Sequence, residues 1–133
     1  MKQQVSFITL GVNNLEKMKA FYTEKFGWAP VKDSDGLVLF PMNGCMLALY
    51  AADALAEELH TVNNGQGFKP FVLAINLGSE QEVNEVFDQL RQKGVAILRE
   101  PEKTIWGGYR GYIADIENNY WEFVYNPGAH HFF

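Results

Sequence analysis

Two stretches of this chain are punctuated in the same way, and that repetition constrains the fold more than any other feature. In "VSFITLGVNNLEKMKAFYTEKFGW", the run Val5–Val12 is rich in β-formers and predicts a strand. Asn13 or Asn14 can then cap a helix, its side-chain oxygen accepting from the freed amides of the first turn. Leu15, Met18, Phe21, Tyr22 and Phe26 recur at helical spacing, with Glu16, Lys19 and Glu24 outside the stripe. Gly27 stops the helix. In the second stretch Phe71–Leu77 predicts a strand, and Ser79 with Glu82 makes a capping box. Val83, Val86, Phe87 and Leu90 form the helix stripe, and Gly94 ends it. The two helix-ending glycines stand 67 residues apart in a chain of 133. Each is followed by three short β-like runs. After Gly27 these are Trp28–Lys32, Leu37–Phe40 and Cys45–Tyr50, separated by the turn signals "DSDG" and "MNG"; after Gly94 they are Val95–Leu98, Tyr109–Asp115 and Tyr120–Tyr125.

A βαβββ unit that occurs twice predicts an α+β fold, with two modules forming a cupped mixed sheet and the helices on its outer face. The concave side is then lined by alternate residues of the strands. Module one covers about residues 1–52, a linker about 53–67, module two about 68–127 and a tail 128–133. The linker holds a short helical pattern, Asp53–Leu59, and the loop "NNGQG".

Composition narrows the partners. The net charge of −5 lacks the basic face that a nucleic-acid binder needs, so no nucleic acid is expected. No apolar run reaches membrane-spanning length and "MKQQVSF" lacks the apolar core of a signal peptide, so the expectation is a cytoplasmic protein with no membrane partner. The one cysteine, Cys45, excludes an intramolecular disulfide and is expected to be a buried structural thiol. Aromatic residues make up 14% of the chain, enough to line an apolar pocket as well as a core.

With these elements in place, the chain resembles the vicinal oxygen chelate superfamily of glyoxalases, bleomycin-resistance proteins and extradiol dioxygenases. "ITLGVNNLEKMKAFYTEKFGW" is similar to its opening module. "GYIADIENNYWEFVYNP" is similar to its closing strand pair, usually a Phe-x-Asp-Pro-Asp-Gly-x-x-Trp-Glu pattern. Asp115 matches the first Asp, Ile116 replaces the Pro, Asn118 replaces the Gly, and Trp121-Glu122 match the Trp-Glu. The scaffold hosts many chemistries, so the resemblance implies a fold more firmly than a reaction.

In metal-dependent members, the resemblance implies four cleft-facing ligands, from the first and last strands of each module. Carried over by position, these fall at Phe7, at Ala48, at Phe71 or a neighbour such as Val72 or Leu73, and at Glu122. Only the last has a donor. A divalent ion needs several nitrogen or oxygen donors at about 2.0–2.2 Å, so neither a metal nor any other cofactor is expected. His60 lies in the linker, and His130 and His131 lie in the tail, a poor platform for catalysis.

Glu122 thus stands as an acid in an apolar strand. If it faces the cleft, so do Tyr120 and Val124, while Trp121 and Phe123 face the helices. Burial raises the pKa of a lone carboxylate unless a cation or hydrogen-bond donors satisfy it. Three roles are open to it: anchor for a cationic or hydroxyl-bearing ligand, general base on a carbon acid, or partner of a local donor such as Arg110 or a Tyr hydroxyl. The residues expected to line the cleft are Phe7, Thr9, Phe40, Ala48 and Tyr50 from module one. Module two adds Phe71, Leu73, Trp106, Tyr109 and Tyr112 around Glu122. Trp28 and Trp121 are assigned to the core.

The functional expectation is a metal-free small-molecule binder of the bleomycin-resistance type, holding an aromatic or partly cationic ligand. The alternatives are a metal-free lyase or isomerase with Glu122 as catalytic base, a metal-dependent glyoxalase-like enzyme, and a scaffold for another protein. The resemblance implies a homodimer, and the apolar Phe132 and Phe133 are expected to dock somewhere.

Overall fold

The structure is a computed structural model and describes residues 1–128. The tail residues His130, His131, Phe132 and Phe133, with the expectations attached to them, lie outside the described residues. The chain forms two compact units, Met1–Gln66 and Gly67–Phe133.

In the first unit, β1 (Phe7–Val12) leads into α1 (Leu15–Glu24), then β2 (Lys32–Ser34), β3 (Leu37–Pro41), β4 (Met46–Ala51) and α2 (Ala52–Glu58). Asn14 caps α1, accepting from the Lys17 amide at 3.0 Å. The sheet order is β1-β4-β3-β2, with β1 parallel to β4 and the other pairs antiparallel. One face carries Leu10, Val12, Val38, Phe40, Leu47 and Leu49, all buried against Met18, Phe21 and Tyr22 of α1.

The second strand differs from expectation. It spans Lys32–Ser34 rather than Trp28–Lys32. Trp28 instead stacks on Tyr22 at 12° and 5.8 Å, and its amide donates to the Tyr22 carbonyl, so the aromatic run closes the helix end. The hairpin turns on Asp35-Gly36, both at positive φ (58° and 74°), as a two-residue turn between twisted strands requires. Cys45 is half-buried in the turn before β4, not fully buried.

The second unit repeats the plan: β5 (Leu73–Asn76), α3 (Glu80–Gln92), β6 (Ala96–Lys103), β7 (Tyr109–Ala114) and β8 (Tyr120–Tyr125), in sheet order β5-β8-β7-β6. β5 runs parallel to β8 and the remaining pairs are antiparallel. Ser79 caps α3 by accepting from the Glu82 amide, while Glu82 reaches back to the Gly78 amide at 2.8 Å. Val83, Phe87 and Leu90 of α3 are buried in a layer that includes Ile113, Trp121 and Phe123. Each such side chain taken from water contributes about 1.5–3 kcal/mol. The β7–β8 turn is tied by buried Asp115, which accepts from the amides of Glu117 and Asn119 and from the Asn119 side chain. Asn118, in the place of the family's glycine, takes the left-handed φ of 62°.

The strands therefore form two open four-stranded sheets, each mixed, in an α+β fold of two βαβββ modules. No described helix is long and apolar enough to cross a membrane.

Candidate functional site

Alternation along the strands decides which candidate residues share a face. In the first unit Phe7, Thr9, Ala48 and Tyr50 lie opposite the α1 side and line a pocket of about 420 Å³. Leu55 and Glu58 of α2 also line it, and the Tyr50 hydroxyl donates to Glu58 at 3.0 Å. Phe40 belongs to the other face. It is fully buried, tilted against Tyr22 and Trp28, because it is one step out of phase with Leu39, which pairs with Ala48.

In the second unit the parallel register pairs Ala74 with Glu122 and Leu73 with Trp121. Leu73 is thereby placed on the α3 side, and Tyr109 joins it, donating its hydroxyl to Asn84 of α3 at 2.7 Å. Trp106 is half-exposed in the β6–β7 turn, its ring lying directly over Gly108. Glu122 and Tyr112 face away from α3 as a cross-strand pair, and the Tyr112 hydroxyl donates to Glu122 at 2.9 Å. Burial pushes the Tyr112 phenol above its ordinary pKa, and the bond to the Glu122 carboxylate adds to that shift.

Three charged residues complete this face. Arg110 sits with its guanidinium 5.2 Å from the Tyr112 ring centroid and its Nε 3.9 Å from Glu122. Its Nη1 is buried without a hydrogen bond and lies 3.5 Å from Glu102, which also pairs with Arg99. The result is a row running Arg99–Glu102–Arg110–Glu122–Tyr112 across β6, β7 and β8.

Arg99 and Glu102 were not singled out in the sequence. They are three residues apart, and strict alternation would set them on opposite faces. Two bulges in β6 change that: Leu98 is an extra residue before Arg99, and Glu100-Pro101 stand opposite Gly111 alone. The available signal was Pro101 between two glutamates in "REPEK", since proline inside a strand marks a bulge or an edge.

Beside this row lies an open groove of about 810 Å³, walled by Phe68, Phe71, Val72, Leu98 and Tyr120, with Arg99 and Tyr112 reaching it. Phe68 is 78% exposed and stacks on Tyr120 at 25° and 6.1 Å.

The register repeats between the two units, so Phe7, Ala48, Val72 and Glu122 stand at equivalent places of their sheets. Phe7 lies two residues before Thr9, the partner of Ala48; Val72 lies two before Ala74, the partner of Glu122. Phe7, Ala48 and Val72 carry no donor, so these residues do not fit a divalent ion. Among the described residues, no group of three His, Cys, Asp or Glu side chains could hold one.

The family model described as "Glyoxalase/Bleomycin resistance protein/Dioxygenase superfamily" matches residues 4–123. The chain belongs to this superfamily. A glyoxalase-related enzyme from Fulvimarina pelagi is 36% identical, with a TM-score of 0.85 over 95% of this chain and 90% of that one. A glyoxalase/bleomycin resistance protein/dioxygenase from Nocardioides is 23% identical, with a TM-score of 0.83 over 96% and 89%. A lactoylglutathione lyase from Agrobacterium tumefaciens is 21% identical, with a TM-score of 0.73 over 94% and 95%. The last two likenesses carry the fold alone. No curated protein matches the chain.

Proposed function

We propose that this superfamily member is a small-molecule-binding protein that works without a metal in the cytoplasm. It holds an aromatic or partly cationic ligand on the open face of its second unit. The observation that carries this reading is the exposed aromatic groove beside a carboxylate that already has its own donors. Phe68, Phe71 and Val72 are large apolar side chains left in contact with water, as a ligand wall requires. Glu122, held by Tyr112 and Arg110, stands behind the Tyr112 hydroxyl, and Tyr112 itself lines the groove.

A thermal-shift screen of aromatic and cationic compounds tests this. A ligand at a hundred times its Kd should add about 2.7 kcal/mol of stability. A screen without a single stabilising compound would remove the reading's support.

The 2.9 Å Tyr112–Glu122 bond favours one second reading, a lyase or isomerase on a small carbonyl compound with Glu122 as general base. Glu122→Gln should then abolish turnover while the protein stays folded, and unchanged turnover would sink it. We also propose a homodimer, supported by the exposure of Phe7. Sedimentation equilibrium showing only monomer at micromolar concentration would refute it.

A further inference from the structure

The groove of the second unit already holds its own polar chemistry in balance, and that balance limits what it can accept. Arg99 and Arg110 carry two positive charges, and Glu102 and Glu122 two negative ones. Lys69, on the segment bordering the groove, donates to Asn119 at 3.0 Å, and the Asn119 amide in turn donates to buried Asp115. A charged ligand entering beside this row would face a like charge wherever it met an opposite one. It would also lose its own hydration in the process.

Of this row, Arg99 and Tyr112 line the groove next to the aromatic wall, and Tyr112 is the uncharged one. Its one proton is committed to Glu122. Arg110 also faces this oxygen, so what the hydroxyl still has to offer a ligand is one lone pair, and it acts as an acceptor. The wall is flat: Phe68 and Tyr120 lie near-parallel, and Phe71, Val72 and Leu98 extend the apolar surface. Ring faces of this kind favour offset stacking with a planar partner.

We propose that this groove selects a neutral, planar aromatic molecule bearing an O–H or N–H donor, which hydrogen-bonds to the Tyr112 oxygen while its ring packs on Phe68 and Tyr120. The inference rests on the small-molecule reading above and narrows it. A carboxylate on the ligand would compete with Glu102 for Arg99, and an ammonium would meet the like charge of Arg99. A donor on an uncharged ring meets neither obstacle. An analogue lacking the donor leaves that lone pair unpaired and loses about fivefold to tenfold in affinity.

The test is direct calorimetric binding of four probes at neutral pH: 2-naphthol, 2-methoxynaphthalene, 2-naphthoate and 2-naphthylmethylammonium. Each is measured on the wild type, Tyr112→Phe and Phe68→Asp. 2-Naphthol should bind tightest, about fivefold to tenfold above the methoxy compound. Tyr112→Phe should erase that difference without weakening 2-methoxynaphthalene. Phe68→Asp should weaken every probe at least tenfold; Phe68 is 78% exposed, so its loss leaves the fold intact. Tightest binding by the anion or the cation would overturn the neutrality argument. Equal binding of the two uncharged probes would overturn the donor requirement while leaving the aromatic groove standing. Binding that ignores Phe68→Asp would place the ligand elsewhere and refute the proposal. Absence of binding by all four, or a dimer whose formation Phe68→Asp abolishes, would overturn the small-molecule reading as well.

Discussion

Gly111 is the residue of β7 where the packing leaves no room, and Gly111→Ala is the sharpest test of how the second sheet is built. A Cβ at this position would lie 2.5 Å from Cζ of Phe87 and 2.9 Å from the Arg99 carbonyl oxygen. Carbon atoms pack at about 3.5–4.0 Å, so the Phe87 ring must withdraw by roughly 1 Å. It has little freedom to do so, being 1% exposed and held edge-on to Phe123 at 6.0 Å. The carbonyl has less, because it is backbone between the two bulges that seat Arg99. Overpacking of this kind costs about 1–3 kcal/mol, and loss of the edge-to-face contact about 0.5–1.5 more. The expected total is about 3 kcal/mol, or roughly 10 °C in Tm for a chain of this length. Urea unfolding gives the free energy directly, with an unchanged slope expected. Phe87→Leu in the same chain should recover at least about 1 kcal/mol relative to the sum of the single changes. A Gly111→Ala protein within about 0.5 kcal/mol of wild type would refute the packing argument. Additive costs in the double variant would show that the ring is not the obstacle.

Asp115→Ala strands the part-buried Glu117 amide, the buried Asn119 amide and the Asn119 side chain, so it should cost about 2–4 kcal/mol in urea unfolding; a loss under 1 kcal/mol would mean that the turn holds without its carboxylate. Because the folded Tyr112 phenol sits above its ordinary value of about 10, the stability it contributes is fully present below that pH and is lost as pH rises through the folded value. Tyr112→Phe should therefore flatten the alkaline fall in stability, and an unaltered alkaline limb would count against the assignment. Glu102→Gln leaves Arg99 and Arg110 without their shared carboxylate, so preference should swing toward 2-naphthoate over 2-naphthol; an unmoved preference would mean that charge balance does not govern the groove.

The architecture was legible because it repeats. Two capped helices, each ending at a positive-φ glycine, and two strand trios stand in the sequence much as they do in the fold. Three of the placements that failed are failures of phase. Phe40, Leu73 and Tyr109 were expected on the open face and sit on the helix side, each one residue away from a neighbour that faces the other way. A hydrophobic strand with both faces apolar carries little information about which residue points where. Glu122 was legible as the odd acid of its strand, and Arg110 and a tyrosine hydroxyl were legible as its possible partners. That the tyrosine is Tyr112 follows only from the β7–β8 register. Arg99 and Glu102 share a face through bulges, and local periodicity has no term for an inserted residue.

Those bulges also separate the length of β6 from its phase. In an uninterrupted strand, losing one residue turns every side chain beyond it to the opposite face. β6 holds two residues of slack. Deleting Leu98 would straighten the strand and still leave Arg99 opposite Tyr112 and Glu102 opposite Arg110. β8 pairs without a bulge on both sides, so the same loss at Trp121 would swing Glu122 under α3. Of the strands that carry the charged row, β6 can change length without disturbing it, and β8 cannot.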